Sequence, residues 1–404
     1  MDMPDWVRRL NYIGSEAGGS KNIVSLDLDE LVDLAIKQVG LSDFGADDWL
    51  EKWRRSSGMR VSYQSYTLVG AILARSGMLR TLRNRLLIVD RFKRNPEILE
   101  EPIAAPIFIV GNIRTGTTIL HELLAQDPQF RTTYTWESVC PVPLPEGITA
   151  SPMPVSEIAQ GAIDIMMDVQ PALRSMHLLA WDLPLECFCL DPLFFNLEAP
   201  GNSESNNPFK NVDAEGMYRW SKKMLQLLQF GGDRKPWLQK CSEHLHFLDS
   251  ILKVFPDARF IYTHRDPVKS IPSIVSVYRH LFSIGSDSAQ IHVDGRHELN
   301  KWVFGAKKAI EERESGIVRP DKIADMHFSD LMSDPVGTIR KAYDHLGIEF
   351  TEEYGEKIVA YLAEKPRHKA GKHSYSAEDC GLTETEIREK FQFYTDYYGV
   401  EVET

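Results

Sequence analysis

The segment that most constrains the fold of this 404-residue chain is a strand pattern followed by a tight glycine turn and a helix. Four apolar residues, Ile107 to Val110, are mostly β-branched and are typical of a buried parallel strand. Gly111 through Thr118 then predicts a turn that opens a helix. Backbone N–H groups at such a helix start, together with threonine hydroxyls and the guanidinium of Arg114, suit a phosphate or a sulfonate.

The two glycines of this segment narrow the choice of ligand. Gly111 and Gly116 have the G-x-x-x-x-G spacing of the nucleotide-triphosphate loop, but Thr117 stands where that loop requires its lysine. The sequence therefore argues against a kinase or an ATPase. An ordinary strand, turn and helix without any ligand is the alternative, because short motifs recur by chance.

A second segment has the residue types of an anion site at the end of another predicted strand. Residues 258–264 are predicted to form a strand that ends at Arg265, and Ser273 follows eight positions later. Arginine offers a planar fork of donors and serine a hydroxyl, which together suit a phosphate monoester. For Arg265 alone, a turn with a surface ion pair is the alternative. Because ligands bind beyond the carboxyl ends of parallel strands, Arg114 and Arg265 are expected at the same edge of one sheet.

Taken together, the two motifs resemble those of the sulfotransferases that use 3′-phosphoadenosine 5′-phosphosulfate (PAPS). The segment from Arg114 to Thr118 is similar to their 5′-phosphosulfate loop, and Arg265 with Ser273 is similar to their 3′-phosphate element. The chain most resembles the bacterial-type group, which has a long N-terminal helical region. The resemblance implies an α/β fold with a P-loop-like three-layer core, in which helices flank a central parallel sheet. It also implies PAPS as sulfate donor, 3′-phosphoadenosine 5′-phosphate (PAP) as product, and no metal.

The order of the patterns predicts a single domain with helical additions to the core. Its regions are a helical N-terminal part at 1–102, a nucleotide-binding core at 103–140 and 236–350, a helical insertion over the acceptor site at 141–235, and a basic loop with a helix at 351–404. Further short strands are predicted at 132–137, 236–240 and 325–328. The sequence shows no internal repeat.

Matched position by position, the resemblance implies the residues that bind the donor. They are Arg114, Thr115, Gly116, Thr117, Thr118, Ile119, Arg265, Ser273, Phe328, Lys372 and His373. Cytosolic members usually have lysine at the place of Arg114, tryptophan at that of Ile119 and tyrosine at that of Phe328. Adenine recognition must therefore differ in detail here. The basic loop that contains Lys372 and His373 does not match the family pattern cleanly, which makes both weaker candidates for the 3′-phosphate.

The implied transfer needs a group that takes the proton of the acceptor. His244 has an ordinary pKa near neutrality and, with Lys240 four positions earlier, resembles the lysine–histidine neighbourhood of the family. Glu137 resembles the glutamate that some members use. As alternatives, His244 is a hydrogen-bonding residue at a helix start and Glu137 is the partner of a basic side chain. Arg114 is expected to stabilise charge on the sulfonate, and His177 and Glu186 are lesser candidates for contact with the acceptor.

Composition limits the partners of the chain. A net charge of -12 argues against broad binding to nucleic acid or to anionic membranes, so an anionic ligand must meet a local basic pocket. No stretch is apolar enough to span a membrane, and the first residues lack the apolar run of a signal peptide, which predicts a cytoplasmic protein. The five cysteines are scattered and predict neither a disulfide framework nor a zinc site.

The acceptor is the least constrained part of the prediction. The Met- and aromatic-rich insertion favours a small lipidic or phenolic molecule over a long polyanionic glycan. Two other functions stay open, a P-loop-type phosphotransferase that uses a nucleotide and a non-catalytic nucleotide-binding relative. The oligomeric state also stays open, since no heptad pattern indicates a coiled coil.

Overall fold

A computed structural model describes residues 3–45, 48–63, 65–143, 153–176, 179–190, 209, 212–286, 293–365 and 375–403. The strands in these ranges are β1 Ile107–Gly111, β2 Arg131–Thr132, β3 Trp237–Lys240, β4 Arg259–His264 and β5 Ile323–His327. The α-helices are α1 Asp5–Glu16, α2 Leu28–Val39, α3 Trp49–Tyr63, α4 Leu68–Arg94, α5 Thr117–Leu124, α6 Thr135–Val139, α7 Val155–Val169, α8 Leu173–Met176, α9 Ala214–Gln229, α10 Leu248–Val254, α11 Pro267–Ser283, α12 Gly295–Glu314, α13 Phe328–Ser333, α14 Pro335–Leu346, α15 Glu352–Glu364 and α16 Glu384–Tyr398.

One parallel sheet in the order β2-β3-β1-β4-β5 organises the described residues. Strand β1 is central, and its Phe108 pairs with Gln239 of β3 on one side and with Phe260 of β4 on the other. Every residue of β1 is buried, as expected for a parallel sheet that is covered on both faces. The residues after β1 and β4 therefore meet at the same carboxyl edge, where ligands bind in such sheets.

Alternate side chains of β1 enter two different hydrophobic clusters. Phe108 and Val110 pack in the larger cluster, together with residues of α9 to α12 and α16. Ile107 and Ile109 pack in the other, with residues of α5, α14 and α15. Each such buried side chain stabilises the fold by about 1.5–3 kcal/mol relative to an exposed one. Helices on both faces of the sheet confirm the predicted three-layer α/β core.

The N-terminal region is largely helical, as the sequence predicts. Helices α2, α3 and α4 enclose a small core of their own, which includes Leu31, Trp53, Leu82 and Leu86. Further along α4, Leu87 belongs to the larger cluster beside the sheet. The long helix α4 thereby joins the N-terminal helices to the core. The exact division of the chain into regions stays a prediction.

One strand prediction is wrong, and the reason is local. Within 132–137, only Thr132 is in a strand, and helix α6 begins at Thr135. The carboxylate of Glu137 accepts the backbone N–H of Tyr134 at 2.9 Å, a contact that fixes a helix start. Strand-favouring residue types in this segment conceal that contact. A smaller difference is that β5 ends at His327, so Phe328 begins α13.

No helix in the described ranges is long and apolar enough to cross a membrane.

Candidate active site

The turn between β1 and α5 has a backbone shape that glycine makes possible. Gly111 has a φ of 142° and Gly116 a φ of 91°. A Cβ atom on Gly111 would lie 2.5 Å from Oγ1 of Thr263, and one on Gly116 would lie 2.9 Å from the ring of Phe328. Arg114 has a φ of 71°, which is strained for a residue with a side chain. The turn is thus held in a conformation that a free segment would rarely adopt.

The start of α5 presents backbone donors that the helix itself does not use. Its first hydrogen bond runs from the N–H of Leu120 to the carbonyl of Gly116 at 3.0 Å. The N–H groups of Thr117, Thr118 and Ile119 precede this bond and have no acceptor within the helix. No side chain of the described residues caps this end. These three residues, all predicted to bind the donor, therefore have backbone N–H groups of the kind that bind anions at helix starts, and their contact with the donor stays a prediction.

Thr115 holds the shape of the turn with its hydroxyl. The group donates to the carbonyl of Asn112 at 2.6 Å and lies 2.6 Å from Oγ1 of Thr263 on β4. Thr263 is also 3.3 Å from the carbonyl of Val110. The hydroxyl of Thr115 thus links the turn to the neighbouring strand. Its predicted contact with the donor stays a prediction.

Arg114 is mostly buried beside the turn and only partly paired. Its Nη1 donates to the carbonyl of Met176 in the insertion at 2.8 Å, whereas its Nε is buried with no partner among the described residues. Burial lowers the pKa of the guanidinium, contact with Tyr375 raises it, and nearby Arg265 lowers it. The group stays charged because its ordinary pKa is far above neutrality. A buried charge with a spare donor is costly unless an anion binds it.

Arg265 follows β4 and lies against the same turn. Its Nη1 donates to the backbone carbonyl of Arg114 at 3.0 Å, and its guanidinium carbon lies 4.1 Å from the ring centre of Phe328. Its Nε and Nη2 donate to the two carboxylate oxygens of Glu403 at 2.8 and 2.9 Å. The sheet therefore brings together the two predicted arginines. Glu403 has no signal in the sequence, since nothing there marks a carboxylate beyond α16 as a partner of Arg265.

Ser273 on α11 is buried, and its hydroxyl has no hydrogen-bond partner within the described ranges. By contrast, Ser270 one turn earlier lies 3.4 Å from the carbonyl of Pro267. A buried hydroxyl without a partner costs about 1–3 kcal/mol, which a ligand can recover. Ser273 thus has the spare capacity that a phosphate-binding residue needs. The other 3′-phosphate candidates, Lys372 and His373, lie outside the described residues.

Lys240 ends β3, beside the central strand. It is buried and forms an ion pair with Glu186 of the insertion. Glu186 is the more accessible partner, because its side chain is 24% exposed. The structure thereby joins two residues that the sequence analysis considered separately. The strand next to the turn therefore ends in a lysine whose positive charge is balanced by the carboxylate of Glu186. His177, the other lesser candidate for contact with the acceptor, lies outside the described residues.

The surroundings of His244 do not favour it as a general base. It is buried in a short 3₁₀ helix, Ser242–His246, with Nδ1 2.7 Å from the hydroxyl of Tyr218 and Nε2 2.8 Å from Sγ of Cys187. Burial, and to a lesser extent the charge of Lys240, lowers the pKa of His244 to about 3. Both ring nitrogens already have partners. This geometry agrees with the alternative role, that of a hydrogen-bonding residue at a helix start.

Glu137 is also engaged in local structure. It is buried, and one carboxylate oxygen accepts a hydrogen bond from Nη2 of Arg131 at 2.8 Å. The other accepts the N–H of Tyr134, as described above for the start of α6. This arrangement again agrees with the alternative role, that of a partner for a basic side chain. In the described residues, no group of three or more His, Cys, Asp or Glu is placed to hold a metal ion.

Comparison with known proteins connects this site to a family. A family model described as "Sulfotransferase family" matches residues 106–352. The omega-hydroxy-beta-dihydromenaquinone-9 sulfotransferase Stf3 of Mycobacterium bovis, and that of Mycobacterium tuberculosis, are each 26% identical over 312 residues, which are 74% of this chain and 76% of the relative. Both relatives thus extend the likeness well beyond the two motifs.

Solved structures agree with this match. The sulfotransferase STF9 from Mycobacterium avium has a TM-score of 0.76 at 25% identity, with 93% of this chain and 97% of that chain covered. STF1 from Mycobacterium tuberculosis has a TM-score of 0.71 at 27% identity, with 90% and 97% covered. These likenesses confirm the predicted resemblance to bacterial-type members. The family model covers more than half of the sequence, including both arginines and the central strand, and the chain therefore belongs to the sulfotransferase family.

Proposed function

We propose that this protein transfers a sulfuryl group from PAPS to a hydroxyl, or an amine, of a small lipidic or phenolic acceptor. One observation carries the proposal, the contact between Arg265 and the carbonyl of Arg114 at 3.0 Å. It makes two cationic sites neighbours at one edge of the sheet. PAPS has anionic groups at both its 5′ and its 3′ position, and two adjacent sites suit such a molecule.

The residues at these sites fit the donor. The Nε of Arg114 and the hydroxyl of Ser273 are buried without partners in the described ranges, so both have hydrogen-bonding capacity to give. The first N–H groups of α5 add donors for a 5′-phosphosulfate. When bound, PAPS supplies the sulfuryl group and the nucleotide phosphate that leaves. Arg114 and the α5 amides stabilise negative charge there, and such preorganised donors are the usual main contribution to catalysis.

The insertion has an apolar cluster close to the turn. Ile163, Met167, Leu173 and Met176 form this buried cluster, which packs against α11. The carbonyl of Met176 accepts the hydrogen bond of Arg114, so the cluster adjoins the turn. Apolar surroundings beside the proposed transfer site support a lipidic or phenolic acceptor. The name of Stf3, a sulfotransferase for a hydroxylated menaquinone derivative, supports the same class of acceptor.

The group that takes the proton from the acceptor hydroxyl is proposed to be the carboxylate of Glu186, in the insertion. His244 and Glu137 have their nitrogens or oxygens in local hydrogen bonds. Glu186 is partly exposed and is held in place by Lys240 at the end of β3. A positioned carboxylate of this kind contributes about 10²–10⁴ in rate when it takes a proton in the transition state.

Isothermal titration of the protein with PAP and with ATP tests the donor. We expect PAP to bind and Arg265→Ala to weaken that binding. Arg319 is exposed, pairs with Asp321 and lies outside both motifs. Arg319→Ala therefore provides the matched control. ATP binding without PAP binding would favour the phosphotransferase and overturn the proposal. Turnover of sulfur-labelled PAPS with hydroxylated quinones and phenols then separates an enzyme from a non-catalytic relative.

A further inference from the structure

We infer that Glu403 sets the affinity and selectivity for the donor's 3′-phosphate, because its carboxylate occupies the arginine fork that this phosphate needs. The inference rests on the proposed function. It concerns a residue that neither motif contains, since Glu403 lies far beyond Arg265 in the sequence.

The contact has the geometry of strong anion recognition. Nε and Nη2 of Arg265 donate to separate oxygens of Glu403 at 2.8 and 2.9 Å. Parallel bonds of this kind are how arginine binds both carboxylates and phosphates. The remaining nitrogen, Nη1, donates to the carbonyl of Arg114. Every nitrogen of Arg265 thus has a partner, and the side of the fork that suits an anion already holds one.

The segment after α16 is fixed in this position by its backbone. The N–H of Glu403 donates to Oδ2 of Asp266 at 2.9 Å. Asp266 is itself buried, starts α11 by accepting the N–H of Val268 at 3.0 Å, and lies 3.3 Å from Nη1 of Arg388 on α16. These contacts return the segment to the end of β4. These contacts, and not charge attraction alone, therefore hold the carboxylate of Glu403 against Arg265.

The side chain of Glu403 can leave without loss of the core. It is 33% exposed, whereas that of Arg265 is 18% exposed. Glu403 must leave the fork before Arg265 can bind a 3′-phosphate there, because two anions cannot share the same donors. A nucleotide without a 3′-phosphate needs no such exchange. Glu403 therefore lowers affinity for PAP and leaves affinity for AMP unchanged, in proportion to the fraction of molecules with an open fork.

Titration of three proteins with PAP and AMP tests this inference. We expect Glu403→Gln to bind PAP about threefold to tenfold more tightly than the unmodified protein, with AMP affinity unchanged. Exposed Glu401, two positions earlier, gives the matched control Glu401→Gln, which removes the same charge. Equal PAP affinity in Glu403→Gln and the unmodified protein would overturn the inference. An equal gain in Glu401→Gln would also overturn it, since the effect would then be general charge.

The two proposals fail differently. Absence of PAP binding to both the unmodified protein and Glu403→Gln removes the proposed function and this inference with it, whereas equal PAP binding removes the inference alone.

Discussion

The two arginines of the candidate site differ in how their charges are satisfied. Arg114 is mostly buried, one of its guanidinium nitrogens is unpaired in the described ranges, and its partners there are the carbonyl of Met176 and the side chain of Tyr375. Arg265 forms a full bidentate ion pair with Glu403. Among the described residues, Arg265 therefore has a carboxylate partner and Arg114 has none.

This difference indicates which part of the reaction each arginine controls. A buried charge without a counterion destabilises the protein, so an anion at Arg114 gains the full interaction. At Arg265 an incoming phosphate only replaces one anion by another, and the net gain is smaller. We expect Arg114 to control the chemical step and Arg265 to adjust affinity and selectivity. Variants of Arg114, Glu186, and the pair Arg265 and Glu403 test this division.

Loss of Arg114 should have the largest effect. We expect Arg114→Ala to lower kcat/KM for sulfuryl transfer by about 10²–10³, the range seen when one charge-stabilising donor is removed. Arg114→Lys, which keeps the charge without the fork, should lose less. Turnover with labelled PAPS measures both, with Arg319→Ala as control. Full activity in Arg114→Ala would remove the distinction between the two arginines.

A variant of Glu186 tests whether proton transfer affects the chemical step, as Arg114 does, and leaves donor affinity unchanged. We expect Glu186→Gln to lower kcat by about 10²-fold, because an amide cannot take the acceptor proton. Affinity for PAP should stay within a factor of two, since the variant leaves both arginines in place. Glu137→Gln is the comparison, because that carboxylate is bound to Arg131. A larger fall in kcat for Glu137→Gln, in protein of equal stability, would reverse the assignment.

A double-mutant cycle on Arg265 and Glu403 measures how strongly these two residues are coupled in PAP binding. We expect Arg265→Ala to weaken PAP binding by about tenfold, which corresponds to about 1.4 kcal/mol. Glu403→Gln should strengthen it only while Arg265 is present. Titration of the two single variants and the double variant gives the coupling between the residues. The same gain from Glu403→Gln in the Arg265→Ala background would show that Glu403 acts elsewhere.

The sequence predicts the core and the meeting of the arginines because both follow from local patterns. A run of apolar residues gives β1, and parallel strand order then places Arg114 and Arg265 at one edge. The roles of individual side chains depend on tertiary contacts that no pattern carries. His244 has an ordinary pKa near neutrality by residue type, yet both of its ring nitrogens lie against Tyr218 and Cys187. The same limit hides Glu403, whose partner is 138 positions away.

Helix α6 illustrates a related limit. Its segment consists of residue types that favour strands, and a single carboxylate contact decides the outcome. Local propensity is a weak guide where one side chain can satisfy a backbone N–H. Strands β1 and β4 are predicted well because β1 is fully buried and β4 is buried after Arg259, so their apolar content is a direct signal.

His244 lies in neither arginine site, and its variant should have the smallest effect, a change in the pH dependence of stability. Burial lowers its pKa to about 3, so between that pH and its ordinary value of about 6.5 the unfolded chain binds a proton that the folded protein does not. This residue therefore makes the fold less stable as the pH falls through that window. From pH 7.5 to 5.5, the unmodified protein should lose about 1 kcal/mol more unfolding free energy than His244→Gln.

Urea unfolding at the two pH values measures this difference directly. Exposed His345 provides the control, because His345→Gln removes an imidazole from the surface and leaves the buried ring of His244 in place. Other buried histidines cancel, since they are present in each protein that is compared. At pH 7.5, His244→Gln should be less stable by about 1–3 kcal/mol, because the hydroxyl of Tyr218 loses its partner. An equal pH dependence in His244→Gln and the unmodified protein would mean that the pKa of His244 is the same in the folded and unfolded protein, and its candidacy as a base would return.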